Sequence, residues 1–373
     1  MSDYSGFYVY LRFCDCIMQM KTAIIILGNQ WVCPYVNTYK RILEKRGCLY
    51  DVILWDRDGS DAAVPIRYSS GKANLFNPIV KAWHYLKYAD FIKKTIQEKG
   101  YERLIVSGPH LAILLSGLLC GKYKGRYIID YRDMSVEQHL LLGGVYSKVL
   151  ENSCCNVISS SGFREHLPAE YEYLVSHNFS IEKVVASLNS AFPVFKKSST
   201  LDILTVGYIR NYNSNVKIIQ NIGGKENYRL RFVGRGDAAV PLKEYTVSKG
   251  YANVDFEGFY KKDDEAAIVE ACDFINIFFP DDVKHSSIMS NRFYLALMYK
   301  KPMIVTVGSV QAALVREYGL GVAWDGQQNL DSEIKTYMST FDYNAFCNSC
   351  NRLLALFVEE YNSFELAVAA FLQ

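Results

Sequence analysis

The chain has 373 residues, more than one hydrophobic core ordinarily organises, so two domains are expected. Half of the residues are apolar and 21% are charged, which excludes a disordered chain. A net charge of +2 argues against a nucleic-acid partner, and no apolar run reaches the roughly 20 residues that span a bilayer.

Residues 1–19 lack a basic segment followed by an apolar core, so they read as a disordered extension and not as a signal peptide. The structured chain then divides into a first domain over 20–194, a second over 195–361, and a terminal helix over 362–373. In the first domain, Ala23–Leu27 is a continuous apolar run, as expected of a strand covered on both faces. Gly28 breaks it, Tyr35–Arg46 has a helical pattern, and Asp51–Trp55 is the next strand. A long helix follows over Asn77–Lys99, then a strand at Arg103–Ser107, a helix at Leu111–Leu119 and a strand at Arg126–Asp130. Asn156–Ser159 and Glu172–Val175 read as two more strands. Strands separated by helices imply parallel units with right-handed crossovers.

The polar stretch Pro193–Thr200 reads as a linker, after which the pattern restarts. Strands are expected at Leu201–Val206, Tyr228–Val233, Val254–Phe256, Phe274–Phe279, Met303–Val307 and Val322–Trp324, with a helix over Asp263–Cys272. Tyr343–Gln373 is helical in period. The fold class is therefore α/β, two doubly wound Rossmann-like parallel sheets facing across a cleft, with ligands at the carboxyl ends of the strands.

Chemistry-bearing residues fall at those ends. Ser290, Asn291 and Arg292 open a helix that runs through Lys301-Pro302 into a buried strand. Unpaired N–H groups and a positive dipole end make such a start a phosphate site; an ordinary N-cap is the simpler alternative. Asp130, Arg132 and Asp133 end a buried strand, either as a structural ion pair or with Asp133 orienting or deprotonating a hydroxyl. His110 follows the strand Arg103–Ser107, and His177 follows Glu172–Val175. The glycine turn Gly234-Arg235-Gly236 lacks the third glycine of a dinucleotide fingerprint, as does Gly28. The helix Asn77–Lys99 mixes Trp83, Tyr85, Tyr88 and Phe91 with Lys81, Lys87, Lys93 and Lys94, which suits an anionic membrane surface or a core helix with solvated lysines. Most of the ten cysteines lie in apolar runs, and Cys347-x-x-Cys350 is a lone half-site, so no metal is assigned.

Several of these segments together resemble the GT-B glycosyltransferases, family 4 in particular. Leu204-Thr-Val-Gly207 is similar to the first strand and turn of that family's donor domain, with Arg210 just beyond. Leu230-Arg-Phe-Val-Gly-Arg-Gly236, Val254-Asp-Phe-Glu-Gly258 and Ala271-Cys-Asp-Phe-Ile-Asn-Ile-Phe-Phe-Pro280 resemble the elements that follow. Ile128-Ile-Asp-Tyr-Arg-Asp133, Val157–Leu167 and Ser176-His-Asn178 resemble acceptor-domain elements, with Val157–Leu167 similar to that family's strand, Ser, helix and Leu-Pro unit. The family's paired glutamates fall here at Ser287 and Leu295, and its lysine at Asn213.

The resemblance implies a glycosyltransferase that needs no metal or cofactor, with the terminal helix over 362–373 crossing back onto the first domain. A UDP- or GDP-sugar would be held by Gly207, Arg210, Gly234, Arg235, Gly258, Ser290, Asn291 and Arg292. Asp133 and His110 would be catalytic, with Asp130, Arg132 and His177 on the acceptor side. The acceptor would be a glycan, lipid-linked, of a bacterial surface polysaccharide or capsule, with retention at the anomeric carbon. The protein would work in the cytoplasm, in peripheral contact with the inner face of the membrane. A catalytically silent GT-B binding subunit and a nucleotide-sugar epimerase remain as alternatives.

Overall fold

The computed structural model describes residues 21–71, 73–193 and 199–373. The expected extension over 1–19 and most of the linker Pro193–Thr200 lie outside the described residues. The first sheet contains β1 (Lys21–Ile26), β2 (Leu49–Asp56), β3 (Arg67–Ser69), β4 (Arg103–Ser107), β5 (Tyr127–Tyr131), β6 (Cys155–Ile158) and β7 (Tyr173–Val175), in the order β3-β2-β1-β4-β5-β6-β7. The second contains β8 (Leu201–Val206), β9 (Tyr228–Val233), β10 (Val254–Gly258), β11 (Phe274–Ile277), β12 (Met303–Thr306) and β13 (Gly321–Trp324), in the order β10-β9-β8-β11-β12-β13. All pairs are parallel.

Both sheets reverse their winding at one point, between β1 and β4 and between β8 and β11. At such a point the crossovers depart to opposite faces and leave a crevice beyond the strand ends. The central strands are buried on both sides, which is why they read as unbroken apolar runs: Ala23 to Ile26 are at most 1% exposed.

Three local expectations are corrected. The span Leu111–Leu119 is two short helices, Pro109–Leu114 and Ser116–Cys120, because Ser116 and Gly117 are poor interior helix residues. The segment after β6 is a 3₁₀ turn, Ser161–His166, not an α-helix. The expected boundary at 361/362 falls inside one unbroken helix, Tyr343–Phe371, which contains neither Gly nor Pro.

That helix joins the two domains. Its first half puts Phe346, Cys347, Cys350, Leu353, Leu354 and Phe357 into the second-domain core. Its second half lays Phe364, Val368, Phe371 and Leu372 over Ile24, Ile26, Ile105 and Ile128 of the first sheet. No helix among the described residues is long and apolar enough to cross a membrane.

Candidate functional site

The loops after β8 and β9 pack backbone against backbone. Gly207 N–H donates to Val233 O at 2.9 Å, and Ile209 N–H to Arg235 O at 2.9 Å. A Cβ at Gly234 would lie 1.8 Å from Gly207 O, and one at Gly236 would lie 1.9 Å from Ile209 O. Glycine is required there by contact, and Gly234 also has φ +143°. Gly258 sits at a register shift in β10 with φ +74°.

The helix Asn291–Met298 begins beside these loops. Ser290 caps it by accepting the Arg292 N–H, while its own N–H goes to Gln311 Oε1 at 3.1 Å. Asn291 Oδ1 accepts from Asn178 Nδ2 of the first domain at 2.8 Å. The Ser290 hydroxyl and the Asn291 side chain are thus engaged within the protein, and of the expected three-residue anion cradle the charged member is Arg292. Arg292 does not point outward from the helix start. It is buried at the winding reversal, where Nε donates to Val206 O at 2.6 Å and the terminal nitrogens to Tyr208 O at 3.0 Å and Asn276 O at 3.4 Å.

Among the described residues, no carboxylate pairs with Arg292. Burial pulls its basicity down to about 10, and the like charge of nearby Arg210 adds to that fall. A buried cation without an anion is expensive unless something negative arrives. Exposed arginines flank the place: Arg210 over the Tyr208 ring at 5.2 Å and Arg235 over the Phe259 ring at 4.6 Å. Phe279, Pro280, Asp281, His285, Ser286, Thr306, Val307, Ser309 and Gln311 line a crevice next to them.

The first domain supplies the facing groups. Asp133 reaches solvent beyond β5, but the protein crowding it raises its carboxyl above the usual range. Lys284 and Arg210 of the second domain, and Arg132, oppose that rise, so Asp133 faces the basic side of the cleft. His110 is half-buried, stacks on Tyr85 at 5.1 Å, and meets Ser135 Oγ through Nδ1 at 3.1 Å. Burial lowers its pKa. It therefore lies against the loop that carries Asp133.

Asp130 and Arg132 are structural. Asp130 is fully buried, and Arg132 grips it with Nε at 2.7 Å and a terminal nitrogen at 2.9 Å. The other terminal nitrogen donates to Ser176 O at 2.8 Å. Asp130 is shut away from the cleft.

His177 likewise turns inward. Nδ1 meets Tyr294 Oη at 2.8 Å and Nε2 meets Glu360 Oε2 at 2.6 Å, joining the first domain to the Asn291–Met298 helix and the terminal helix. Burial lowers its pKa, against the pull of Glu360. The folded state thus disfavours the charged form. Stability from this group is full above the ordinary value of about 6.5 and is lost as pH falls below it. His177→Gln is expected to destabilise the protein, with a deficit in urea midpoint that narrows from pH 7.5 to pH 5. A deficit independent of pH would contradict this assignment.

The two positions where family 4 carries glutamates are closed. Ser287 is buried, its carbonyl accepts Ser160 Oγ at 2.6 Å, and a Cβ on Gly162 would lie 2.7 Å from the same oxygen. Leu295 packs on the second-domain core. Glu257 is forked onto Arg231 at 2.6 and 3.1 Å, which leaves exposed Asp281 as the available carboxylate beside the crevice. Lys284 was not anticipated; its only sequence signal is its place in the short polar turn after Pro280.

No family model and no curated protein sequence matches the chain. Solved structures do. Sucrose-phosphate synthase from Thermosynechococcus elongatus aligns with a TM-score of 0.62 at 14% identity, covering 94% of this chain and 98% of that one. The lipopolysaccharide outer core galactosyltransferase WaaB aligns with a TM-score of 0.62 at 13% identity, covering 94% and 99%. Anabaena HepE in complex with UDP-glucose aligns with a TM-score of 0.57 at 13% identity, covering 94% and 100%. The chain has the GT-B fold that these proteins share.

Proposed function

We propose that the protein transfers a sugar from a UDP-sugar to a hydroxyl of a lipid-linked glycan, as a step in surface polysaccharide assembly. The observation that carries the reading is Arg292, a buried cation with no carboxylate partner among the described residues, at the winding reversal of the second sheet. A diphosphate there would meet Arg292 and Arg210 together and relieve their repulsion. Arg235, Lys284 and the turns at Gly207, Gly234 and Gly258 complete the donor side. These cations would neutralise the leaving diphosphate, so the reading calls for no metal. Phe259, 65% exposed, offers a ring face to the base.

Asp133, with its raised carboxyl, would accept the proton of the acceptor hydroxyl, with His110 behind it. Asp133→Asn is expected to lower transfer by about 10²–10⁴-fold while leaving UDP binding unchanged. Weaker UDP binding in this variant would move Asp133 to the donor side. Retention at the anomeric carbon is proposed with the family resemblance as its support.

The first domain would meet the inner face of the cytoplasmic membrane. Ile79, Trp83 and Leu86 form one exposed helical stripe, 80%, 53% and 61% exposed, with Lys87 over the Trp83 ring. HepE, whose structure is a complex with UDP-glucose, supports the choice of a UDP-linked donor.

A thermal-shift series tests the reading. UDP at ~100 times its dissociation constant should add about 2.7 kcal/mol, with GDP much weaker. The packed Leu295 favours one second reading, a catalytically silent binding subunit. Slow hydrolysis of UDP-glucose or UDP-galactose without acceptor would exclude it.

A further inference from the structure

We propose that His177 is a positioning residue, a strut through which the first domain sets the placement of Arg292 and with it the affinity of the donor site. Hydrogen bonds from the first domain land on residues 287–294, the segment that carries Arg292. Ser160 Oγ donates to Ser287 O at 2.6 Å, Asn178 Nδ2 donates to Asn291 Oδ1 at 2.8 Å, and His177 Nδ1 meets Tyr294 Oη at 2.8 Å. The Asn178 bond is exposed to water, and the Ser160 bond falls ahead of the helix. The His177 bond is buried and lands inside the helix, where water does not compete with it.

Arg292 and Tyr294 are two residues apart on the helix Asn291–Met298, so their side chains leave opposite sides. Arg292 reaches the carbonyls of Val206, Tyr208 and Asn276 at the end of the second sheet. Tyr294 reaches back to His177, with its ring edge-on to Phe179 at 5.3 Å and to Phe357 at 5.8 Å. The helix is clamped between these two contacts, and any turn or slide at Tyr294 moves the cation.

His177 is itself fixed. Its ring stacks on Phe179 at 5.3 Å and meets Phe357 at 4.2 Å, and Nε2 meets Glu360 Oε2 of the terminal helix at 2.6 Å. A neutral ring serves both partners, with Nε2–H donating to Glu360 and Nδ1 accepting the Tyr294 hydroxyl. Just ahead of it, Ser176 O and Oγ accept from Arg132 at 2.8 and 3.2 Å, and Arg132 grips Asp130 in β5. Asp133 lies three residues beyond Asp130. The strut therefore ties the strand end that presents the acceptor-side carboxylate to the helix that presents the donor-side cation. Transfer needs such groups held to within about 0.5 Å of their working places. The choice of UDP as the probe rests on the transferase reading.

Calorimetric titration of UDP and amide hydrogen exchange over residues 287–298 decide it, both on the full chain, with urea denaturation reporting stability. Tyr294→Phe and His177→Leu should each weaken UDP binding about tenfold, within the usual range of coupling between sites, and speed exchange across the Asn291–Met298 helix. The double variant should do no worse than the weaker single one, because both changes remove the same bond. His177→Gln, whose amide can still accept from Tyr294 and donate to Glu360, should recover most of the affinity. Phe357→Leu strips packing from the same ring without removing a hydrogen bond, and should lower the urea midpoint while leaving UDP affinity alone. Unchanged UDP affinity or unchanged exchange in folded Tyr294→Phe and His177→Leu, or an equal loss of affinity in Phe357→Leu, would overturn the proposal. No UDP binding by the wild type, with exchange still faster in Tyr294→Phe, would overturn the donor reading and leave the strut standing.

Discussion

Gly234→Ala is expected to destabilise the second domain by about 4 kcal/mol or more and to abolish any response to UDP. The new methyl would stand 1.8 Å from the carbonyl oxygen of Gly207, and the backbone at φ +143° disfavours any side chain. No side-chain rotation relieves a clash between two main chains, so the Gly207–Arg210 loop must move. That loop presents Tyr208 O, one of the three carbonyls that hold Arg292. Displacing it displaces the cation. Gly250→Ala is the control, because that glycine has φ +66° and nothing within 4 Å of a Cβ. It should cost about 1 kcal/mol and leave UDP binding alone. Chemical denaturation of both variants, with and without UDP, checks the pair. Equal behaviour would mean that the two loops do not depend on their close approach.

Phe364→Ala is expected to cost about 3–5 kcal/mol, the usual range for emptying a buried aromatic site. Phe364 is fully buried, edge-on to Tyr39 at 5.4 Å and near Tyr361 at 6.2 Å. The loss falls on the half of the terminal helix that covers the first sheet. Calorimetry should then resolve two transitions, the first domain melting early and the second still raised by UDP. A single transition, shifted as a whole, would show that the domains unfold as one unit whatever the packing of this helix.

Most strands were legible because a strand buried on both faces needs apolar residues at every position, as in Ile24-Ile25-Ile26 and Met303-Ile304-Val305. β3 was not, since Arg67-Tyr68-Ser69 is a three-residue edge strand without an apolar run. The C-terminal helix crossing back was anticipated for residues 362–373; that the same helix also anchors the second core was not. At the candidate site, residue types beyond strand ends and at one helix start singled out Asp133, His110, Arg210 and Arg292 as candidates. Side-chain direction was beyond the sequence. A helix-start arginine suggests an outward group, yet Arg292 turns inward to the carbonyls of Val206, Tyr208 and Asn276. The same limit hid Asp130, whose partner Arg132 is two residues away and whose burial depends on Ser176 from another strand end.

The central claim is that the buried charge of Arg292 awaits a nucleotide diphosphate. Its most direct test is calorimetric titration of UDP into the wild type and Arg292→Met, with circular dichroism confirming that the variant is folded. The account predicts saturable binding to the wild type, weakened at least a hundredfold in the variant, a loss of about 2.7 kcal/mol. Undiminished binding by a folded Arg292→Met, or no binding of UDP by the wild type, would contradict it.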